Sequence, residues 1–112
     1  HKTHLPLDDG GIPIAGPAPF PKVEGNTPFV LGAVEPDIDD CFVVNTDSKT
    51  IPIDTRNEKL VKLVEAHHPD SKVHLEVYST DPAFQFYTGK YIDVPEVPGA
   101  PARGNRSGFC VE

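Results

Sequence analysis

Acidic side chains stand twice where the surrounding residues otherwise build core. Asp37, Asp39 and Asp40 lead into the apolar run Cys41-Phe42-Val43-Val44, and Glu112 follows Phe109-Cys110-Val111. A carboxylate on such a strand must be hydrogen-bonded, paired or turned toward a polar cleft, because its desolvation is costly. Held in that way, it can act as a general base or accept hydrogen bonds from sugar hydroxyls. The plainer alternatives are a solvated strand end and, for the Asp cluster, a calcium site, although no complete calcium loop is present. Phe84-Gln85-Phe86-Tyr87 sets one amide between aromatic rings. In a strand, Gln85 and Tyr87 share the face opposite Phe84 and Phe86. An amide beside a phenol suits a hydroxyl-rich ligand, while plain core is the commoner use of such a strand.

The histidines and cysteines offer less. His67 and His68 are adjacent, so in a strand they point to opposite faces and cannot chelate one metal together. His1 and His4 fall in a loose leader, and His74 has surface-type neighbours. Cys41 and Cys110 are too few for a disulfide framework and lack metal-ligand spacing. No Ser, His and Asp arrangement and no phosphate-cradling Gly loop can be assembled. Neither a metal nor another cofactor is expected.

The elements that must position these residues are short. Of 112 residues, 13 are Pro and 9 are Gly, which excludes an architecture of long helices. Residues 1–28 read as an extended Pro/Gly-rich segment, which composition alone leaves open as either a disordered linker or a strip that crosses a preformed surface with Leu5, Leu7, Ile12, Ile14 and Phe20 as spaced anchors. Ile38 to Val44 reads as a strand followed by a turn at Asn45 to Ser48. Leu60 to His68 and Lys72 to Thr80 read as an antiparallel hairpin about Pro69-Asp70-Ser71, with Val73, Leu75 and Val77 on one face and His74, Glu76 and Tyr78 on the other. Phe84 to Tyr91 reads as a strand that bends or ends at Gly89, and Phe109 to Glu112 as the last strand. Short strands joined by Pro/Gly loops predict an all-β sandwich or barrel.

The formal charge of −7, with no Lys/Arg cluster, excludes the electrostatic footprint that nucleic acid or an anionic membrane requires. The apolar stretch from Phe29 to Val34 is far below the ~20 residues of a bilayer span. Asn105-Arg106-Ser107 fits an N-glycosylation acceptor, so both cytoplasmic and secreted locations stay open. The chain starts without Met and stops on a strand residue. We therefore expect the C-terminal portion of a longer protein, not folding alone, because half a sandwich leaves an apolar face and strand edges open.

Three segments together resemble the galactose mutarotase (aldose 1-epimerase) family. Leu75 to Asp93, LEVYSTDPAFQFYTGKYID, is similar to that family's Glu-Val-Tyr strand, Pro-containing turn and Gln-Phe-Tyr-Thr-Gly core. SGFCVE, Ser107 to Glu112, is similar to its late strand ending in Glu, and IDDCFVV, Ile38 to Val44, to its Asp-containing strand. Leu5-Pro6-Leu7-Asp8 and Gly11-Ile12-Pro13 match more loosely. The resemblance implies an antiparallel β-sandwich of roughly three hundred residues, of which this chain is about the last third. It also implies interconversion of the α and β anomers of a free aldose without metal or nucleotide.

Carried over residue by residue, the resemblance makes Glu112 the general base, Asp39 the carboxylate that binds sugar hydroxyls and Gln85 a further substrate contact. The catalytic acid His belongs to an earlier part of the family's chain, and none of His1, His4, His67, His68 or His74 matches it. Where the family has a Glu after its Ile-Pro segment, Ala15-Gly16-Pro17 stands here. Family placement puts Cys41 and Cys110 on the face of the site carboxylates and leaves their pairing open. The expected partners are a monosaccharide and the remainder of the same protein. Alternatives are a non-catalytic carbohydrate-binding or sugar-phosphate-binding relative, and a glycoside hydrolase using Asp39 and Glu112 as its carboxylate pair.

Overall fold

In the computed structural model, residues 1–24, 27–32 and 34–112 are described. Gly25 and Asn26 of the leader, and Ala33 of the Phe29 to Val34 stretch, lie outside them. Among the described residues seven short strands follow in order: β1 (Thr3–His4), β2 (Ala18–Pro19), β3 (Asp39–Val43), β4 (Val61–His67), β5 (His74–Ser79), β6 (Ala83–Tyr87) and β7 (Cys110–Val111). The only helical turn among the described residues is a 3-10 turn at Ser48–Thr50, capped by the Asp47 side chain. No helix among them is long and apolar enough to cross a membrane. The fold is all-β, with one antiparallel sheet in the order β2-β1-β3-β6-β7 and a separate β4-β5 hairpin.

The sheet separates its two faces by strict alternation. β3 and β6 pair Asp39 with Tyr87, Asp40 with Phe86, Cys41 with Gln85 and Phe42 with Phe84. β7 sets Val111 against Phe86 and Cys110 against Tyr87. Phe42, Phe84, Phe86 and Val111 therefore share one face, and Asp39, Cys41, Gln85, Tyr87 and Cys110 share the other. The first face carries the core: Ile38, Phe42, Phe84 and Phe86 are buried, with Phe20, Leu63, Val64 and Phe109 packed against them. Phe42 and Phe84 stack with centroids 5.6 Å apart, and Phe20 meets Phe42 edge-on at 4.8 Å. Burying each such ring contributes about 1.5–3 kcal/mol.

The leader is anchored differently from the sequence expectation. Phe20 and Leu5 are sheltered, but Leu7, Ile12 and Ile14 are exposed. Asp8 Oδ1 accepts from the backbone N–H of Gly10 and Ile12 at 2.8 and 2.9 Å, and this side-chain-closed turn carries the apolar residues outward. His4 takes the anchoring role instead. β1 sets it opposite Phe42, where it is buried on the core face, edge-on to Phe20 and hydrogen-bonded through Nδ1 to Asp40 Oδ1 at 3.0 Å. The loose histidine expected there is a core histidine.

The hairpin forms as expected, with one irregularity. The register shifts between Lys62 and Val64, so Leu63 is a bulge residue. One extra residue inverts the alternation that follows. Val64 and Ala66 then share the inner face with Leu75 and Val77, while Glu65 joins Lys62, His74 and Glu76 outside.

β6 ends at Tyr87, short of the expected Tyr91, because the chain turns at Gly89. Thr88 stays in register, donating from its N–H to the Ile38 carbonyl at 2.9 Å. Gly89 follows with φ +78°, and a Cβ built on it would lie 2.2 Å from the Gly108 carbonyl oxygen. Only Gly fits there.

Candidate functional site

β3, β6 and β7 bring the three site residues of the sequence analysis to one face. Gln85 and Glu112 exchange both backbone hydrogen bonds, each at 3.0 Å, which extends the β6-β7 ladder by one pair. With that pairing Glu112 joins the row Cys41-Gln85-Glu112, next to the row Asp39-Tyr87-Cys110. Gln85 Nε2 donates to Asp39 Oδ1 at 2.8 Å, so the amide lies between the two acids. Asp39 and Glu112 are exposed and Gln85 is half-buried. With β6 between them, β3 and β7 are about 9–10 Å apart, room for a small polar ring across the face.

The three aspartates separate by their partners. Arg106 donates from Nε and Nη2 to the two oxygens of Asp37, at 2.9 and 2.8 Å, and Lys90 Nζ approaches to 3.2 Å. These cations hold the Asp37 carboxyl below its ordinary range, the Arg106 hydrogen bonds contributing most. Asp40 turns to the core face, where His4 and Lys22 meet it. Asp39 pairs with no cation among the described residues, and its one side-chain partner is the neutral Gln85 amide. It is the exposed member of the cluster and the one without a cation partner among the described residues.

Tyr87 stands in the Asp39 row, and its hydroxyl accepts from the Tyr91 N–H at 2.7 Å, which folds the loop after β6 back over this face. Cys41 and Cys110 share the face with both thiols reduced. One strand and one row separate them, beyond the ~7 Å reach of a disulfide, so they do not pair. Partial burial pushes the Cys41 thiol up.

The face is open where a hollow was expected. A hollow of about 180 Å³ lies at the opposite end of β3, lined by residues such as Val44, Pro52, Glu58 and Thr80, and contains none of Asp39, Gln85 or Glu112. No described histidine reaches the face either: His4 and His1 lie against core aromatics, and His67, His68 and His74 belong to the hairpin and its turn. The exposed Glu65, His74 and Glu76 cluster on that hairpin, and Lys62 Nζ sits within it, bonded to both carboxylates at 2.5 and 3.1 Å. An ammonium already occupies the place a metal would need. With its amide oxygen and nitrogen exchanged, Asn105 donates to the carbonyls of Lys90 and Ile92, at 3.0 and 3.3 Å, although the residue lies in an exposed loop.

Two features escaped the sequence. The burial of His4 had no signal, because a strand of two residues, Thr3–His4, is too short to show periodicity. The Asp37 to Arg106 pair joins positions 69 residues apart, which no local pattern reveals.

Residues 1–112 match the aldose 1-epimerase family profile. The chain is 43% identical over 74 residues to the bifunctional protein gal10 of Schizosaccharomyces pombe, covering 66% of this chain and 10% of that protein. It is 36% identical over 87 residues to the bifunctional protein GAL10 of Kluyveromyces lactis, covering 78% of this chain and 12% of that one. It is 33% identical over 116 residues to human galactose mutarotase, covering 98% of this chain and 32% of that protein. The chain thus spans between a tenth and a third of the length of these curated relatives.

Proposed function

We propose, on the premise that this chain belongs to the aldose 1-epimerase family, that its protein interconverts the α and β anomers of a free hexose such as galactose or glucose by acid/base ring opening. The observation that carries the reading is the placement of Asp39, Gln85 and Glu112 on one face, joined by the Gln85 to Asp39 side-chain bond and the Gln85 to Glu112 backbone pair.

Glu112 is the general base. Its carboxylate takes the proton of the anomeric hydroxyl while an acid protonates the ring oxygen; the C1 to ring-oxygen bond breaks and an open-chain aldehyde forms. Rotation about C1 to C2 presents the other face of the carbonyl. Closure returns both protons and gives the opposite anomer. The acid, an imidazolium, comes from a part of the protein outside these 112 residues, because the described histidines lie away from this face. Asp39 accepts from sugar hydroxyls and Gln85 adds a donor and an acceptor, so the ring is held while C1 turns. The same outside part closes the open face into a pocket, which strengthens each of these contacts by excluding water.

Polarimetry of freshly dissolved α-galactose tests the reading. Full-length protein accelerates the approach to the equilibrium rotation, and Glu112→Gln abolishes the acceleration. Saturable galactose binding without acceleration would instead establish a sugar-binding relative that lacks catalysis.

A further inference from the structure

The reading above leaves Tyr87 without a role, although it stands directly across from Asp39 on the same face. Its hydroxyl uses a lone pair to accept from the Tyr91 N–H at 2.7 Å. The O–H proton itself meets no acceptor among the described residues. A half-buried phenol thus offers a donor beside a carboxylate that offers an acceptor.

The phenol is also held in place. The backbone N–H of Ile92 and of Arg106 both donate to the Gly89 carbonyl, at 3.2 and 2.7 Å, and the Gly108 backbone leaves no room for a side chain at Gly89. The loop that steadies the Tyr87 oxygen is fixed at both ends, so the donor is aimed before a ligand arrives.

We propose that Tyr87 is a further substrate-contact residue: its hydroxyl donates to a hydroxyl oxygen of the bound hexose, next to the hydroxyl from which Asp39 accepts. A donor and an acceptor facing each other across neighbouring strands match two adjacent sugar hydroxyls, one read as an oxygen and the other as a proton. This pair would set which pattern of hydroxyls the site accepts. The inference rests on the sugar-isomerising reading.

Monodeoxy and monofluoro galactoses test it with the full-length protein, kcat/KM being read from anomer equilibration. Removing the hydroxyl that Tyr87 contacts costs the wild type about tenfold, the size of one hydrogen bond. In Tyr87→Phe that penalty disappears, while the penalties at other positions persist. A purely structural role for the phenol would lower all substrates alike and leave the individual penalties unchanged, and that result overturns the proposal. The wild type alone supplies a second readout should the Phe variant fail to fold. Fluorine accepts and cannot donate, so the Tyr87 position tolerates fluorine better than hydrogen, whereas the Asp39 position tolerates neither. If no position separates fluorine from hydrogen, the proposal fails. A wild type that neither binds galactose nor accelerates its mutarotation defeats the sugar-isomerising reading itself, whereas an active wild type with unchanged penalties defeats only the role of Tyr87.

Discussion

Gln85 and Asp39 sit 46 residues apart in the chain and meet through a 2.8 Å bond from the amide Nε2 to the carboxylate Oδ1. A neutral donor steadies Asp39 without cancelling its charge, in contrast to the cations on Asp37 and Asp40. Gln85→Glu replaces that donor with a second carboxylate at hydrogen-bond distance. Two like charges facing each other repel, and the donor that holds Asp39 is gone. KM for galactose in the variant should therefore rise by about tenfold or more. An unchanged KM would show that the amide does not act on Asp39.

Glu112 meets Gln85 through backbone atoms alone, so Glu112→Gln keeps the ladder bonds and removes only the basic oxygen. Loss of a general base costs about 10²–10⁴ in kcat. We expect that fall with KM within about threefold of wild type and an unchanged thermal midpoint. Interconversion of α- and β-galactose, followed by NMR saturation transfer between their anomeric-proton resonances, measures it. Retention of more than a tenth of wild-type kcat would remove Glu112 from the base role.

How much was legible beforehand follows from what is local. Gln85 and Tyr87 alternate with Phe84 and Phe86 within five residues, so the division of faces could be read from β6 alone. The Gly89 turn was readable as well, because a Gly in an aromatic run has few other uses. The Leu63 bulge was not, since one inserted residue leaves no mark in composition and yet inverts the strand that follows. Leu7, Ile12 and Ile14 misled because apolar type implies burial only when the backbone brings the residue to a surface, and the Asp8 turn directs this one outward. The roles given to Asp39, Gln85 and Glu112 came from resemblance, not from spacing; long-range pairing alone shows that they share a face.

Gly89→Ala tests the turn that positions Tyr87. Positive φ costs a non-Gly residue about 1–2 kcal/mol, and here the new Cβ also meets backbone at 2.2 Å. Gly99 has φ +84° with nothing within 4 Å of its Cβ position, so Gly99→Ala isolates the conformational part. Chemical denaturation should show a loss of about 1–2 kcal/mol for Gly99→Ala and a clearly larger one for Gly89→Ala. Equal losses would mean that the loop moves aside.

The Asp37 to Arg106 pair predicts an acid dependence. Because the folded pKa of Asp37 lies below its unfolded value near 3.9, the pair stabilises the fold fully above that value, and the contribution is lost as pH falls through the folded pKa. Arg106→Gln removes most of the depression. The wild type should exceed the variant by a constant margin from pH 5 to 8, and the margin should shrink below pH 4. A margin that widens on acidification would show that Asp37 is not the titrating group.

The two thiols supply a chemical probe of the site face. Cys110 is exposed, whereas Cys41 is half-buried and burial raises its pKa. The thiolate is the reactive form, so iodoacetamide at pH 8 should alkylate Cys110 about ten times faster than Cys41. Cys110 stands beside Tyr87 in the Asp39 row, and Glu112 follows β7 two residues further on, paired with Gln85. A hexose lying across this face covers the Cys110 thiol. Saturating galactose should slow alkylation of Cys110 severalfold without a comparable effect from an equal concentration of a polyol too flexible to span the face. The bulk of the adduct should in turn raise KM for galactose. Mass spectrometry of the labelled peptides follows both thiols at once. Protection of neither thiol would place the sugar on some other surface and remove the β3-β6-β7 face from consideration as the site.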